Sequence, residues 1–237
     1  MPSDVERLTE WIRARVAEAG RVAAVVGLSG GIDSAVVAAL AKRALGDEAY
    51  GVIMPCDSDP ADADDARLLA EAIGLTYRTV DLGPALAVLR DQIALPPTVP
   101  RLAVANLKPR LRMITLYAEA AVRNALVLGT GNRSELEIGY FTKYGDGGVD
   151  LLPIGGFLKR EVRALARDLG VPQRIIDRQP SAGLWEGQTD ESEMGMTYQE
   201  LDTYLDTGAG SPVIAGLVET MRAASGHKRA LPEIFPR

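Results

Sequence analysis

Two rhythms of apolar positions alternate along the first half of the chain. Val5, Leu8, Trp11, Ile12 and Val16 recur at helical spacing, which predicts an amphipathic helix at the start. "RVAAVVGL" (21–28) has no such period; it is short, apolar and rich in valine, the mark of a strand covered on both faces. Ala35 to Leu45 consists of strong helix formers and stops at Gly46, a residue suited to a C-terminal cap. The pattern then repeats. "YGVIM" (50–54) reads as a strand, and Pro60 to Ile73 as a helix entered through Asp59-Pro60 and ended by Gly74. "TYRTVDL" (76–82) is a third strand, residues 85–93 a helix, and "LPPTVP" (95–100) a proline-rich break. Arg101 to Asn124 is helical, with Pro109 marking a kink or a restart, and "ALVLGT" (125–130) is a fourth strand. Strands alternating with helices imply a parallel sheet joined by right-handed crossovers. The expected fold is α/β, a doubly wound parallel sheet flanked by helices, in one domain over residues 1–237.

Beyond Gly131 the pattern loosens. "TKYGDGGVD" (142–150) is a loop, Lys159 to Leu169 a helix, and a last helix covers roughly 211–225 before the tail "HKRALPEIFPR". "QPSAGLWEGQTDESEMGM" (179–196) keeps no period and is long for a loop, a length typical of lids and binding segments. There is no internal repeat and no low-complexity tract.

Composition narrows the classes. Hydrophobic residues make up 47% and charged residues 24% of 237, which suits a globular chain with a proper core and argues against disorder. The longest apolar runs are far shorter than a membrane span. The start, "MPSDVERLTEW", has neither the basic opening nor the apolar block of a signal peptide. A net charge of −6 does not suit a protein that lives on nucleic acid. The single cysteine, Cys56, rules out an internal disulfide and a cysteine-rich metal knuckle, and with the missing signal peptide points to the cytoplasm.

The chemistry gathers in "SGGIDS" (29–34), directly after the first strand. In open α/β sheets ligands sit beyond the carboxyl ends of the strands. Gly30 and Gly31 permit positive φ and let an anion approach the backbone, while amides at the helix start face it. Ser29 and Ser34 add hydroxyl donors. Asp33 would repel a phosphate unless a cation lay between them, so the residue types fit a magnesium-bound phosphate. The plain alternative is a strand-to-helix turn with Asp33 as its N-cap. No "GK[ST]" follows and the spacing is not "GxGxxG", so neither of the common phosphate motifs applies.

"SGGIDS" resembles the pyrophosphate loop of the N-type ATP pyrophosphatases, which cut ATP between the α and β phosphates. "GTGNRSELEIGYFTKYGDGGVDLLPIGG" (129–156), "KREVRALARDLGVP" (159–172), "PSAGLWEGQTDE" (180–191) and "HKR" (227–229) resemble NAD synthetase, over essentially the whole chain. The resemblance implies an adenine-nucleotide alpha hydrolase-like fold and a two-step reaction. ATP adenylates the carboxylate of deamido-NAD, releasing pyrophosphate; ammonia then expels AMP. It further implies that Gly27, Leu28, Ser29, Gly30, Gly31, Ile32, Asp33 and Ser34 bind ATP, joined by Thr130, Lys159 and Ser181. Asp33 and Glu135 match the magnesium ligands, and Arg110, Lys143, Asp150, His227 and Lys228 the deamido-NAD positions. Asp33, Lys159 and Asp146 would carry catalysis, Asp146 by taking a proton from ammonium, although it reads equally well as a turn residue. The stretch after Pro180 would close as a lid, and the helices of 101–124 would form a two-fold homodimer with the substrate across the interface.

Glutamine-dependent members of that family carry an amidase domain with a nucleophilic cysteine, for which these residues leave no room, so free ammonia is the expected donor. Cys56 in "IMPCDSDP" is flanked by aspartates that would raise its pKa, and reads as a pocket-wall or structural thiol. Three rivals remain: amidation of nicotinate mononucleotide, an RNA-modifying thiolase, and a nucleotide-binding module without turnover. The thiolase would need catalytic cysteines and a basic surface that this chain lacks. A passive binder has no need of Asp33, Glu135, Lys159 and Ser181 together.

Overall fold

A strand apolar at every position needs cover on both faces and a partner on each edge. In the computed structural model of the protein, which describes residues 2–96, 98–185 and 187–235, β1 (Ala23–Leu28) has all four. After α1 (Asp4–Glu18) and β1 come α2 (Ile32–Leu45), β2 (Ala49–Ile53), α3 (Pro60–Ala72), β3 (Thr76–Thr79), α4 (Gly83–Ile93), α5 (Arg101–Ala105), α6 (Leu107–Arg123) and β4 (Ala125–Leu128). The sheet is wholly parallel in the order β3-β2-β1-β4, with Leu28 beside Ile53 and Val26 beside Leu128. Pro97 of the proline-rich break, Glu186 of the long loop and residues 236–237 of the tail lie outside the described residues.

Successive side chains of β1 serve different cores. Ala24, Val26 and Leu28 join the apolar faces of α1, α2 and α3, while Ala23 and Val25 pack with Val52, Val127, Leu86 and Ala120 on the side of α4 and α6. Nearly every residue of α2 is buried, because it is held between the sheet on one side and α1 and α8 (Lys159–Asp168) on the other. This is the expected doubly wound α/β arrangement.

The long helical stretch divides at Asn106. Pro109 falls in the first turn of α6, where its missing N–H breaks no helical bond, so it marks a restart. β3 ends at Thr79, short of residue 82, although Val80 and Leu82 still donate to the carbonyls of Ile53 and Pro55. The second half holds more helix than its pattern announced. Besides α8 there are α7 (Arg133–Ile138), α9 (Gln173–Ile176), α10 (Asp190–Met194), α11 (Tyr198–Thr207) and α12 (Pro212–Ser225). α10 lies inside the stretch expected to be structureless. α7, α10, α11 and α12 share a small core of Ile138, Met194, Tyr198, Leu201 and Val218. α7, α9 and α10 have six residues or fewer, too few for a period to show.

Candidate functional site

The chain leaves β1 toward β2 on one side, while β4 arrives on the other, so the strand order reverses between β1 and β4. A crevice opens at such a reversal, beyond the carboxyl ends of the two strands. The loop 29–34 follows β1 there, and Thr130 to Glu135 follows β4.

Only one of the two loop glycines has positive φ. Gly30 has φ +78°, and a Cβ on it would come 2.4 Å from the carbonyl oxygen of Asp62. Gly31 is extended (φ −90°) and forms the N-cap of α2 without any side-chain hydrogen bond. The first-turn amides of α2 are therefore left without a capping side chain, open toward an anion. The serines act differently from expectation. Ser34 is buried; its hydroxyl donates to the Gly31 carbonyl (2.9 Å) and accepts from the Ser29 amide (3.2 Å). Ser29 Oγ accepts from the Gly31 amide (3.2 Å) and lies 3.1 Å from Ser34 Oγ. A buried hydroxyl must be satisfied, so Ser34 braces the loop, and the backbone amides are the donors left for a ligand.

Asp33 is not an N-cap. It sits in the first turn of α2, where its carboxylate accepts from Asn132 Nδ2 (2.9 Å) and Lys159 Nζ (2.5 Å). Lys159 Nζ also reaches Glu135 Oε1 at 3.3 Å, and its side chain is 2% exposed. Glu135 and Asn132 cap α7 reciprocally, each side chain accepting from the other's amide. Thus Asp33, Glu135 and Lys159, distant in the chain, meet at the reversal. The lysine that opens α8 against the helix dipole does face anions, and in this state they are protein carboxylates. Ser134 Oγ accepts from the Lys159 amide, and Asp202 accepts from Ser134 Oγ (2.5 Å) and the Arg160 amide (2.8 Å). Burial pushes Glu135 up to about 7 against the pull of Lys159, with Asp33 and Asp190 adding to the rise. Burial alone would lower Lys159, but the charges of Asp33 and Glu135 outweigh it and hold it above its ordinary value.

Sequence reasoning missed four residues of this cluster. Asn132 and Ser134 lie inside the quoted "GTGNRSE", and the N-x-x-E spacing of a capping box was a usable signal for Asn132. Tyr198 and Asp190 left no signal. Tyr198, 1% exposed, places its hydroxyl 3.1 Å from Glu135 Oε1 and 2.9 Å from Asp190 Oδ2. A phenol has one proton to give, so a protonated carboxyl in this pair fits the geometry, in keeping with the burial that raises Asp190.

Two carboxylates converging on one crevice suit magnesium, which takes one or two carboxylates and completes its shell with phosphate oxygens and water. No group of three metal-ligating His, Cys, Asp or Glu side chains gathers among the described residues.

A second cluster surrounds the turn 142–148. Arg110 Nη2 donates to the Lys143 carbonyl (3.4 Å), and Lys143 Nζ donates to the His227 carbonyl (2.7 Å). Lys228 Nζ donates to the carbonyls of Gly139 and Phe141, each at 2.8 Å. Asp146 is in the same turn, where its Oδ1 accepts from the Thr142 amide (2.9 Å). Asp150 is not brought to this group. Its carboxylate accepts from the Val127 amide on the outer edge of β4 (2.8 Å) and from Tyr117 of α6 (3.0 Å). An edge strand with an unpaired amide takes the nearest acceptor, which explains the displacement. Burial, with Asp150 beside it, pushes Tyr117 up to about 12.

Ser181 is exposed and bonds only within its loop, accepting from the Gly183 amide (3.1 Å). The loop is tied at both ends. Arg178 pairs with Asp62 and with Asp65 (2.9 Å) of α3, and Gln188 Nε2 donates to Glu193 (2.6 Å). The Trp185 ring stacks on the Arg101 guanidinium at 4.5 Å. Thr130 is half-buried beside the crevice. Cys56 is fully buried and burial raises its thiol, so burial rather than the neighbouring aspartates is the main cause.

Residues 4–232 match the family described as NAD synthase. The chain is 54% identical to the NH(3)-dependent NAD(+) synthetase of Carboxydothermus hydrogenoformans, over 97% of this chain and 95% of that protein. Among solved structures it resembles an NMN synthetase from Francisella tularensis (TM-score 0.92, 39% identity, 98% of this chain and 97% of that one). It also resembles the NH3-dependent NAD synthetase from Campylobacter jejuni (TM-score 0.82, 30% identity, 98% and 97%).

Proposed function

The chain belongs to the NAD synthase family, and from that membership we propose how its residues divide the work. The protein is a ligase that forms a C–N bond, amidating deamido-NAD to NAD with ammonia and ATP. In the first step a carboxylate oxygen of the acid attacks the α-phosphorus, and the bond to the β-phosphate breaks with its electrons on pyrophosphate. In the second, ammonia attacks the acyl carbon, loses a proton, and AMP departs.

The meeting of Asp33, Glu135 and Lys159 beside open helix amides carries this assignment. Residues 27–34 with Thr130 would hold the nucleotide, the α2 amides facing the β and γ phosphates. Preorganised donors at the point where charge develops lower the barrier most. Asp33 and Glu135 would hold magnesium, which when bound offsets the charge of the departing pyrophosphate. Lys159, already charged and buried, needs only a rotation of its side chain to turn from carboxylates to phosphates. Ser181 would follow with closure of the loop over the adenylate, keeping water out. Arg110, Lys143, His227 and Lys228 would bind the dinucleotide, and Asp146 beside them would take the proton from ammonium.

Asp150 fits this plan only from a second copy. α6 exposes Ile114 (60%) and Val122 (85%), an apolar stripe on the helix that carries Tyr117, the partner of Asp150. A two-fold homodimer through this stripe would cover it and deliver Asp150 to the neighbouring site. No helix among the described residues is long and apolar enough to cross a membrane.

The likeness to an NMN synthetase supports a second reading, in which nicotinate mononucleotide is the acid. Incubating the protein with ATP, magnesium, ammonium and either acid, and following AMP, pyrophosphate and amide, decides between them. Amide from deamido-NAD with AMP and pyrophosphate is expected. Amide from the mononucleotide alone would transfer the assignment to the second reading; no amide, or ADP as product, would end both.

A further inference from the structure

A buried cation without a counter-charge is costly unless a ligand supplies one. Two cations withdrawn from water, Lys108 buried and Arg112 half-buried, stand one turn apart near the start of α6. Lys108 is 8% exposed and its Nζ donates to the Asp57 carbonyl (2.9 Å). Arg112, one turn on, donates from Nε to the Met54 carbonyl (3.2 Å) and from Nη2 to Ser58 Oγ (2.9 Å). Among the described residues neither has a carboxylate at ion-pair distance, whereas the more deeply buried Lys159 has two. The acidic side chains near enough to act on Arg112 are Asp62 and Asp146, both beyond pairing distance. Burial pulls both groups below their ordinary pKa. Lys108 also stands in the first turn of a 17-residue helix, at its positive end, where the dipole disfavours it.

Their location identifies the missing anion. α6 precedes β4 and runs against it, so its first turns open at the carboxyl edge of the sheet. Leu116 lies against Gly27 of β1, and Arg112 is one turn closer to that edge. Because Leu28 pairs with Ile53, Ser29 and Met54 leave the sheet together, so Arg112, bonded to the Met54 carbonyl, stands at the edge from which the loop 29–34 departs. The charges of Asp62, whose carbonyl abuts Gly30, and of Asp146 in the turn 142–148 both act on Arg112. We infer that Lys108 and Arg112 form an oxyanion subsite for the α-phosphate of the nucleotide, the group between the departing pyrophosphate and the attacking acid. This rests on the function proposed above. The planar fork of Arg112 matches two phosphoryl oxygens, and Lys108 adds a point charge that stabilises the α-phosphorus as its bonds exchange.

Calorimetric binding of AMP, of magnesium pyrophosphate and of deamido-NAD to Arg112→Gln and Lys108→Gln tests the subsite without turnover. AMP should weaken by about tenfold or more, the loss of a charge-assisted hydrogen bond, with pyrophosphate and deamido-NAD within about twofold. Unchanged AMP affinity overturns the inference, as does parallel loss of pyrophosphate. Loss confined to deamido-NAD assigns the pair to a carboxylate and overturns it too. Arg112→Lys, which keeps the charge and loses the fork, should bind AMP between wild type and Arg112→Gln; it replaces Arg112→Gln if that variant melts early. A wild-type protein that makes no amide would refute the proposed function, whereas these binding results stand apart from turnover.

Discussion

Replacing Lys159 by methionine keeps the length of the side chain and removes the one cation between Asp33 and Glu135. At 2.5 and 3.3 Å the two attractions amount to about 7 and about 5 kcal/mol with an effective dielectric constant of roughly 20. Most of that is offset by the desolvation of a buried ammonium and by the repulsion between the carboxylates. Breaking a buried pair from one side costs about 3–5 kcal/mol net. Both carboxylates are less than a fifth exposed, so solvent screening does not reduce the figure. For a chain of this size, about 3 kcal/mol corresponds to a melting temperature lower by roughly 6–12 °C.

The loss should depend on pH with a definite sign. A carboxyl whose folded pKa is raised stabilises the fold below its ordinary value, and that contribution disappears as pH rises through the folded value, about 7 for Glu135. Without Lys159 the value rises further, so the deficit of the variant should be larger near about pH 8 than near about pH 6, by the share that Glu135 contributes. Magnesium without nucleotide should restore part of the melting temperature of the variant and leave wild type nearly unmoved, because only the variant has two unpaired carboxylates to share it. Thermal unfolding followed by circular dichroism, with and without magnesium at both pH values, measures all of this. Equal melting of the two proteins near pH 8, or an equal response to magnesium, would refute the electrostatic account of the cluster.

Other outcomes follow from single features. Gly30→Ala combines a φ of +78° with a 2.4 Å approach to the Asp62 carbonyl; it should cost at least about 2 kcal/mol and weaken ATP binding, and a variant as stable as wild type would contradict the loop geometry. Cys56, buried with a raised thiol, should resist iodoacetamide near about pH 8 in the native protein and react on unfolding; its stabilising contribution persists below the ordinary thiol value and fades as pH climbs through the raised one. Rapid native labelling would show the thiol to be exposed. If the proposed homodimer forms through α6, Ile114→Asp should shift the protein to a monomer in sedimentation velocity and abolish turnover, and a fully active monomer would remove the shared-site proposal.

The alternation of strand and helix up to residue 128, the capping glycines and the position of "SGGIDS" after the first strand were legible because each is a local property. A valine-rich run and a glycine that ends a helix act through their own backbone. The same holds for Asp33 and Glu135 as candidates, since each lies in a short motif that names its chemistry. Neighbours were not legible. Lys159 opens α8 and its partners open α2 and α7, so its ion pairs exist only because the strand order reverses between β1 and β4. Tyr198 reaches Glu135 from α11, and Lys108 and Arg112 lack counter-charges only once α6 is docked. Asp150 matched a substrate position by motif, yet an unpaired amide at the edge of β4 captured its carboxylate. The sequence by itself determined which elements form up to residue 128 and which residue types stand at the carboxyl edge of the sheet. The tertiary structure decided which charges meet and which stay unpaired, because electrostatic energy depends on distance and burial, and neither is a property of neighbouring positions in a chain.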